Sequence, residues 1–231
     1  MEALIVDKEY EKKATAYYQG INQQLFSLID PKVETVLDIG CAEGALGAAI
    51  KDSYGADVHG FELFQQAATQ AKQKLDSVTV GNIESDPLPF EQEQFDAIIF
   101  ADVLEHTLDP WSVLTKVKPY LKQTGAIYAS IPNVGHISII EELIQGTWNY
   151  VDAGLLDKTH FRFFTKSEIE KLFHTSGYQI EIIVNNQVLF PHQQLLMQKI
   201  LEAGQLAGLN TTHFFERTTA YQYMLKAKPS V

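Results

Sequence analysis

The stretch Val36-Leu37-Asp38-Ile39-Gly40-Cys41-Ala42-Glu43-Gly44-Ala45-Leu46-Gly47 decides the fold. An apolar run ends on a carboxylate and passes at once into glycines, as a buried strand does when it turns into a helix at the carboxyl edge of a parallel sheet. Glycines there let backbone approach a ligand closely. Their spacing, G-x-x-x-G-x-x-G with Ala42 where a second glycine would stand, departs from the dinucleotide pattern. Asp38 argues the same way. A loop that cradles a pyrophosphate at a helix N-terminus would be opposed by a carboxylate two residues before its first glycine, whereas a cationic ligand would be drawn to it. An ordinary strand-to-helix turn with no ligand is the competing reading of this segment taken alone.

Working outward, strand-like apolar runs recur at 36–39, 57–61, 78–80, 96–100, 126–131 and 178–184, with helical segments between them. This alternation predicts a parallel α/β sheet. Leu46, Ala49 and Ile50 repeat at helical spacing after the first run, and Ala67, Ala68, Ala71 and Leu75 after the second. Asp109-Pro110 predicts the N-cap and first turn of a helix running through Leu121 and closed off by Gly125. Thr165 and Glu168 predict a capping box on a helix that stops near Gly177. Leu196, Ile200, Ala203 and Ala207 predict one more helix, and 218–226 a closing strand. Two segments stand outside the alternation. Residues 1–30 carry Tyr10, Tyr17, Tyr18, Leu25, Phe26 and Leu28 on a partly apolar face before Pro31, which predicts an N-terminal helical lid. Residues 133–165 form a long connection rich in Gly, Trp, Tyr, His and Phe, the character of a lid or substrate-binding insertion.

The 231 residues suit a single domain, 1–231, with insertions. Hydrophobic residues make up 45% and charged residues 20%, a globular composition. Eighteen basic against twenty-nine acidic residues give a net charge of -11, which opposes phosphate backbones and anionic lipid surfaces, so a nucleic-acid partner is not expected. A single cysteine, Cys41, excludes an intrachain disulfide and fits the reducing cytoplasm. The first residues lack the pattern of a signal peptide and no apolar stretch approaches a membrane span, so a cytoplasmic protein is expected. Oligomeric state cannot be read.

The loop Asp38-x-Gly40-x-Ala42-x-Gly44 resembles motif I of the class I S-adenosylmethionine-dependent methyltransferases. S-adenosylmethionine carries a sulfonium and an ammonium and no phosphate, which suits Asp38. The resemblance covers roughly residues 30 to 185 and implies a Rossmann-like seven-stranded, mostly parallel sheet with helices on both faces and the last strand antiparallel. It also implies cofactor contacts. Glu62, in Phe61-Glu62-Leu63 at the end of the second strand, would accept hydrogen bonds from the ribose hydroxyls, with Leu63 beside it. A solvated glutamate at a helix start is the alternative, and dinucleotide folds place a carboxylate at a similar spacing. In Val80-Gly81-Asn82-Ile83-Glu84, Asn82 stands where the family commonly has Asp; its amide oxygen and the backbone of Ile83 would serve adenine. The segment 95–106, ending Ala101-Asp102-Val103-Leu104-Glu105-His106, is similar to the family's fourth motif, with Ala101 as a main-chain contact. Asp38, Gly40, Cys41, Gly44, Glu62, Leu63, Asn82, Ile83 and Ala101 are the resulting cofactor set.

Leu104-Glu105-His106 followed by Asp109-Pro110 resembles the small-molecule O-methyltransferase branch, and the absence of an amino-methylase motif after the fourth strand disfavours a base N-methylase. If the acceptor is a hydroxyl, a histidine is the natural agent of its deprotonation, and His106 and His160 are the catalytic candidates. His136 is a further lid histidine, while His174 suits a helix C-terminus. Packing of the lid by Arg162 and its flanking phenylalanines competes with acceptor binding. No metal is expected, because the histidines are not spaced as a ligand set and one cysteine cannot make a thiolate site. Two other functions remain open: a non-catalytic S-adenosylmethionine-binding or regulatory protein on the same fold, and an NAD-dependent oxidoreductase, which Asp38 and the glycine spacing disfavour.

Overall fold

The computed structural model describes residues 21–230. Seven strands form one sheet in the order β3-β2-β1-β4-β5-β7-β6. They are β1 (Thr35–Ile39), β2 (Asp57–Glu62), β3 (Ser77–Val80), β4 (Phe95–Ala101), β5 (Leu121–Pro132), β6 (Tyr178–Gln187) and β7 (Ala220–Pro229). The first five run parallel to one another, and β7 enters antiparallel between β5 and β6. The expected seven-stranded sheet with its antiparallel last strand is therefore the one observed.

Strand alternation explains the two layers of core. Successive side chains on a strand point to opposite faces. Leu37, Ile39, Ile98 and Phe100 pack on one face with Val113, Leu114 and Val117 of α4 (Pro110–Val117) and Ile169, Leu172 and Phe173 of α6 (Lys166–Thr175). Val36, Ala97 and Ile99 pack on the other, against Leu25 of α1 (Gln23–Leu28), Leu46 and Ile50 of α2 (Ala45–Tyr54), and Ala68 and Ala71 of α3 (Gln65–Ala71). The helical stripes at 46–50 and 67–75 are thus core. Asp38, two residues on from Val36, ends its face of β1 as a carboxylate buried at the strand's carboxyl end.

Several local expectations change. The helix opened by Asp109, whose Oδ1 accepts from Ser112 N–H, ends at Val117 rather than Leu121. Pro119 lacks an N–H and its ring crowds the carbonyl four residues back, so the chain tightens into a 3₁₀ turn at Lys118–Tyr120. Gly125 does not close a helix; it lies within β5, against Leu121 and the Phe95 carbonyl. Thr165 is the N-cap residue of α6 but makes no side-chain capping bond, so the capping box with Glu168 is absent. Thr218 and Thr219 belong to α8 (Phe214–Thr219), and the last strand starts at Ala220. The predicted late helix is α7 (Pro191–Leu206).

Of the N-terminal helical lid, residues 1–20, with Tyr10, Tyr17 and Tyr18, lie outside the described residues. The rest is core: Leu25 is fully buried, and Asn22 caps α1 through Leu25 N–H while its Nδ2 donates to Gln222 Oε1 (3.1 Å). The 133–165 insertion is clasped at its base by a bridge between Asn133 and Phe164. It contains α5 (Ile137–Ile144) and a small core of Ile139, Leu155 and Leu156, backed by Trp148, Phe163 and Tyr221. His136 serves this structure as the N-cap of α5, bonding Ser138 and the Val188 carbonyl (2.7 Å). Arg162 donates to the Leu108 carbonyl and lies over Trp111, so it docks the insertion onto the turn before α4. No helix among the described residues is long and apolar enough to cross a membrane.

Candidate active site

Strand order reverses between β1 and β4, and open α/β sheets bind ligands at the carboxyl edge beside such a reversal. A cavity of about 510 Å³ lies there, within the usual range for small-molecule sites. Asp38, Gly40, Cys41, Glu62, Leu63, Asn82, Ile83, Ala101, His106 and His160 all line it. Gly44 does not. It is the N-cap of α2 at φ +77°, where a side chain would meet Ala71 and Leu75, so it shapes the loop from behind.

Gly40 is required at the loop's entry, since it holds φ +67° and a Cβ there would come within 2.6 Å of Val103. Ala42 takes the same left-handed conformation at φ +49° although it carries a methyl group. That conformation costs an L-residue about 1–2 kcal/mol, and glycine's looser unfolded chain returns only part of it. Ala42→Gly should therefore raise the melting temperature by about 1–4 °C, and Ala42→Val should lower it. A thermal melt in which the glycine variant is the weaker would show that the methyl is held by packing.

Glu62 ties the loop to β2. Its Oε2 accepts from Ala42 N–H (2.8 Å) and its Oε1 from Phe64 N–H (2.9 Å). Burial pushes its pKa up despite these bonds. Asp38 is only 2% exposed, and burial together with the charge of Glu62 raises it to about 7. The Cys41 thiol is likewise pushed up, by burial and then by Asp38 and Glu62, so it is a packed and unreactive group beside Gly60. Asn82 builds its own turn, Oδ1 accepting from Glu84 N–H (2.8 Å) and its N–H donating to Asp86 (2.9 Å). One lone pair of the amide oxygen offered to a base is thus already engaged.

Sequence reasoning passes over Asp102. It holds φ +57° at the cavity wall, its N–H and Oδ1 bond Ser130, and Oδ1 also accepts from Gln222 Nε2. Burial raises its pKa to about 6. Strained, half-buried carboxylates of this kind in a cavity wall cluster at functional sites, and the signal is the polar residue directly after a buried strand. Asn22, Tyr221 and Gln222 come to the wall from the chain's two ends and carried no sequence signal. Glu105 is 1% exposed, and the fold brings it together with His106 and His160. Among the described residues that line the cavity there is no lysine or arginine, while Asp38, Glu62, Glu84, Asp102 and Glu105 are all present. Such a wall disfavours phosphate and favours a cation.

Comparison with known proteins agrees with this geometry. The chain is 26% identical over 151 residues to a ubiquinone biosynthesis O-methyltransferase of Hydrogenovibrio crunogenus, covering 62% of this chain and 61% of that one. A protein of the same name from Glaesserella parasuis is 29% identical over 149 residues, covering 56% and 61%. The chain thus spans about three fifths of the length of these relatives. Among solved structures, a SAM-dependent methyltransferase from Aquifex aeolicus superposes with a TM-score of 0.58 at 14% identity, covering 96% of this chain and 97% of that one. The [4+2]-cyclase SpnF superposes with a TM-score of 0.59 at 12% identity, covering 90% and 81%, so the fold by itself does not name a reaction. A family model described as a methyltransferase domain matches residues 10–182. That match runs from upstream of β1 into β6 and takes in every strand edge that builds the cavity except that of β7, and the chain belongs to the methyltransferase-domain family.

Proposed function

We propose that this protein transfers the methyl group of S-adenosylmethionine to a hydroxyl of a small-molecule acceptor. The observation that carries the reading is the charge of the cavity: buried Asp38 beside Glu62, with no basic residue in the lining among the described residues. Burial and the charge of Glu62 raise the proton affinity of Asp38, and a bound cation relieves that cost. The methionine end of the cofactor supplies that positive charge, and the names of the sequence relatives support oxygen as the acceptor atom.

When bound, the sulfonium supplies the electrophilic methyl group, and the protein's part is position and electrostatics. Glu62 holds the ribose end while keeping the Gly40–Gly44 loop closed through Ala42 N–H. Asn82 and Ile83 wall the adenine end, Leu63 flanks the ribose, and Gly40, Cys41 and Ala101 offer backbone beside the methionine portion. Asp38 meets the positive end. His106 and His160 stand on the cavity wall toward the 133–165 insertion, which we assign to the acceptor, and promote loss of the hydroxyl proton. The single cysteine is compatible with a cytoplasmic enzyme.

Calorimetric titration with S-adenosylmethionine, S-adenosylhomocysteine and NAD tests the reading. The first two should bind and NAD should not. Binding of NAD alone would overturn it in favour of the oxidoreductase. Cofactor binding without release of S-adenosylhomocysteine against a broad panel of hydroxylated metabolites would favour the non-catalytic binder.

A further inference from the structure

One ligand-competent atom from each of Glu105, His106 and His160 lies within 4.8 Å of the other two. The two imidazole rings stand with centroids 4.6 Å apart. Backbone bonds build this meeting: Phe161 N–H and Arg162 N–H both donate to the Glu105 carbonyl (2.9 and 3.0 Å) and so fix the insertion on the turn after β4. Glu105 and His106 adjoin, but His160 comes from a distant segment, which is why the sequence spacing suggests no ligand set.

The orientation of the rings is informative. His106 Nδ1 lies 3.1 Å from the Thr159 carbonyl and His160 Nδ1 lies 3.3 Å from the Leu155 carbonyl. A carbonyl only accepts, so each Nδ1 carries the proton and the neutral ring has its lone pair on Nε2. Metal-ligating histidines are oriented in this way. A further layer stands behind His106. Thr159 Oγ1 donates to buried Asp157 (2.6 Å), which leaves that hydroxyl as an acceptor 3.2 Å from His106 Nδ1. Glu105, 1% exposed, brings the carboxylate oxygen that completes the group of three.

We propose that Glu105, His106 and His160 hold a divalent transition-metal ion at the acceptor end of the cavity. Two nitrogens and one carboxylate suit ions of the zinc, cobalt and manganese class better than magnesium or calcium, which prefer all-oxygen shells. A tetrahedral ion with bonds of about 2.0–2.2 Å sets its ligands about 3.3 Å apart, within reach of small side-chain rotations from the present spacing. All three residues line the cavity, so a fourth position opens onto it, as in catalytic rather than closed structural sites. An acceptor oxygen on that position is polarised by the ion, and the two histidines, their Nε2 lone pairs engaged on it, then promote loss of the hydroxyl proton through the ion rather than as free bases. This role at the acceptor rests on the methyl-transfer reading; the existence of the site does not.

The test uses the full chain, stripped with a chelator and titrated with cobalt(II) in the absence of S-adenosylmethionine. One equivalent should bind with a visible d–d absorption band, and His160→Ala and Glu105→Gln should each weaken binding at least about tenfold. Proton spectra of the cobalt-loaded wild type should show two paramagnetically shifted, exchangeable imidazole N–H signals, one for each retained Nδ1 proton, so the result does not depend on a variant folding. No saturable binding, no shifted signals, or unchanged affinity in folded His160→Ala would overturn the site in favour of a proton-sharing Glu–His–His cluster. Cobalt binding without S-adenosylmethionine binding would keep the site and remove the methyl-transfer reading, and the converse would do the reverse.

Discussion

Glu62→Ala is expected to weaken S-adenosylmethionine binding by roughly 30- to 700-fold and to lower the melting temperature of the unliganded protein. The binding loss is that of two charge-assisted hydrogen bonds to the ribose, about 2–4 kcal/mol together. The stability loss has a separate origin. Removing the carboxylate leaves the N–H groups of Ala42 and Phe64 without their acceptor, each a penalty of about 1–3 kcal/mol where water cannot enter. Glu62→Gln, which keeps the shape and one acceptor oxygen, should fall between the two. Calorimetry read beside a thermal melt separates the effects. Full cofactor affinity in a folded Glu62→Ala protein would show that the ribose lies elsewhere.

Asp38→Asn should do the opposite to stability while also abolishing binding. The folded-state pKa of Asp38, about 7, stands above the ordinary 3.8, first through burial and then through Glu62. The folded chain therefore holds this proton more tightly than the unfolded chain does. The stability so conferred is complete below about pH 3.8 and is lost as pH rises through about 7, because the unfolded carboxyl ionises freely while the folded one must be charged in a dry site. Above about pH 7 the cost approaches about 4 kcal/mol at most, at about 1.4 kcal/mol per pH unit between the two values. The neutral amide escapes that cost. Asp38→Asn should thus melt several degrees above the wild type at about pH 8, with the gap closing toward pH 4, yet bind S-adenosylmethionine at least about 100-fold more weakly. Melting curves across that range decide it, and a variant that melts lower at every pH would show that Asp38 is held by bonds and not merely buried. The contrast between the two carboxylates is itself diagnostic: Glu62 holds the loop together through Ala42 N–H, and Asp38 is a carboxylate whose charge the fold opposes.

The sequence alone determined the elements and the cavity edge at the ends of β1, β2 and β4. Alternating apolar runs report strands because a side chain's face depends only on its position along one strand, and Gly40 and Asp38 announce a ligand loop because backbone strain and charge are local properties. Glu62, Asn82 and Ala101 follow, each at the end of its own strand. At element ends the periodicity reading falters: Thr165 takes the N-cap position without its capping bond, and Pro119 shortens a helix that periodicity alone would extend. The rest of the cavity wall was decided by tertiary structure. Tyr221 and Gln222 reach the cavity because β7 returns antiparallel beside β5, and Asn22 because α1 packs under it. His160 reaches Glu105 and His106 because two backbone N–H groups of the insertion find the Glu105 carbonyl. Such meetings depend on which distant strands and loops come to share an edge, a property of the whole packed chain that no window of sequence contains.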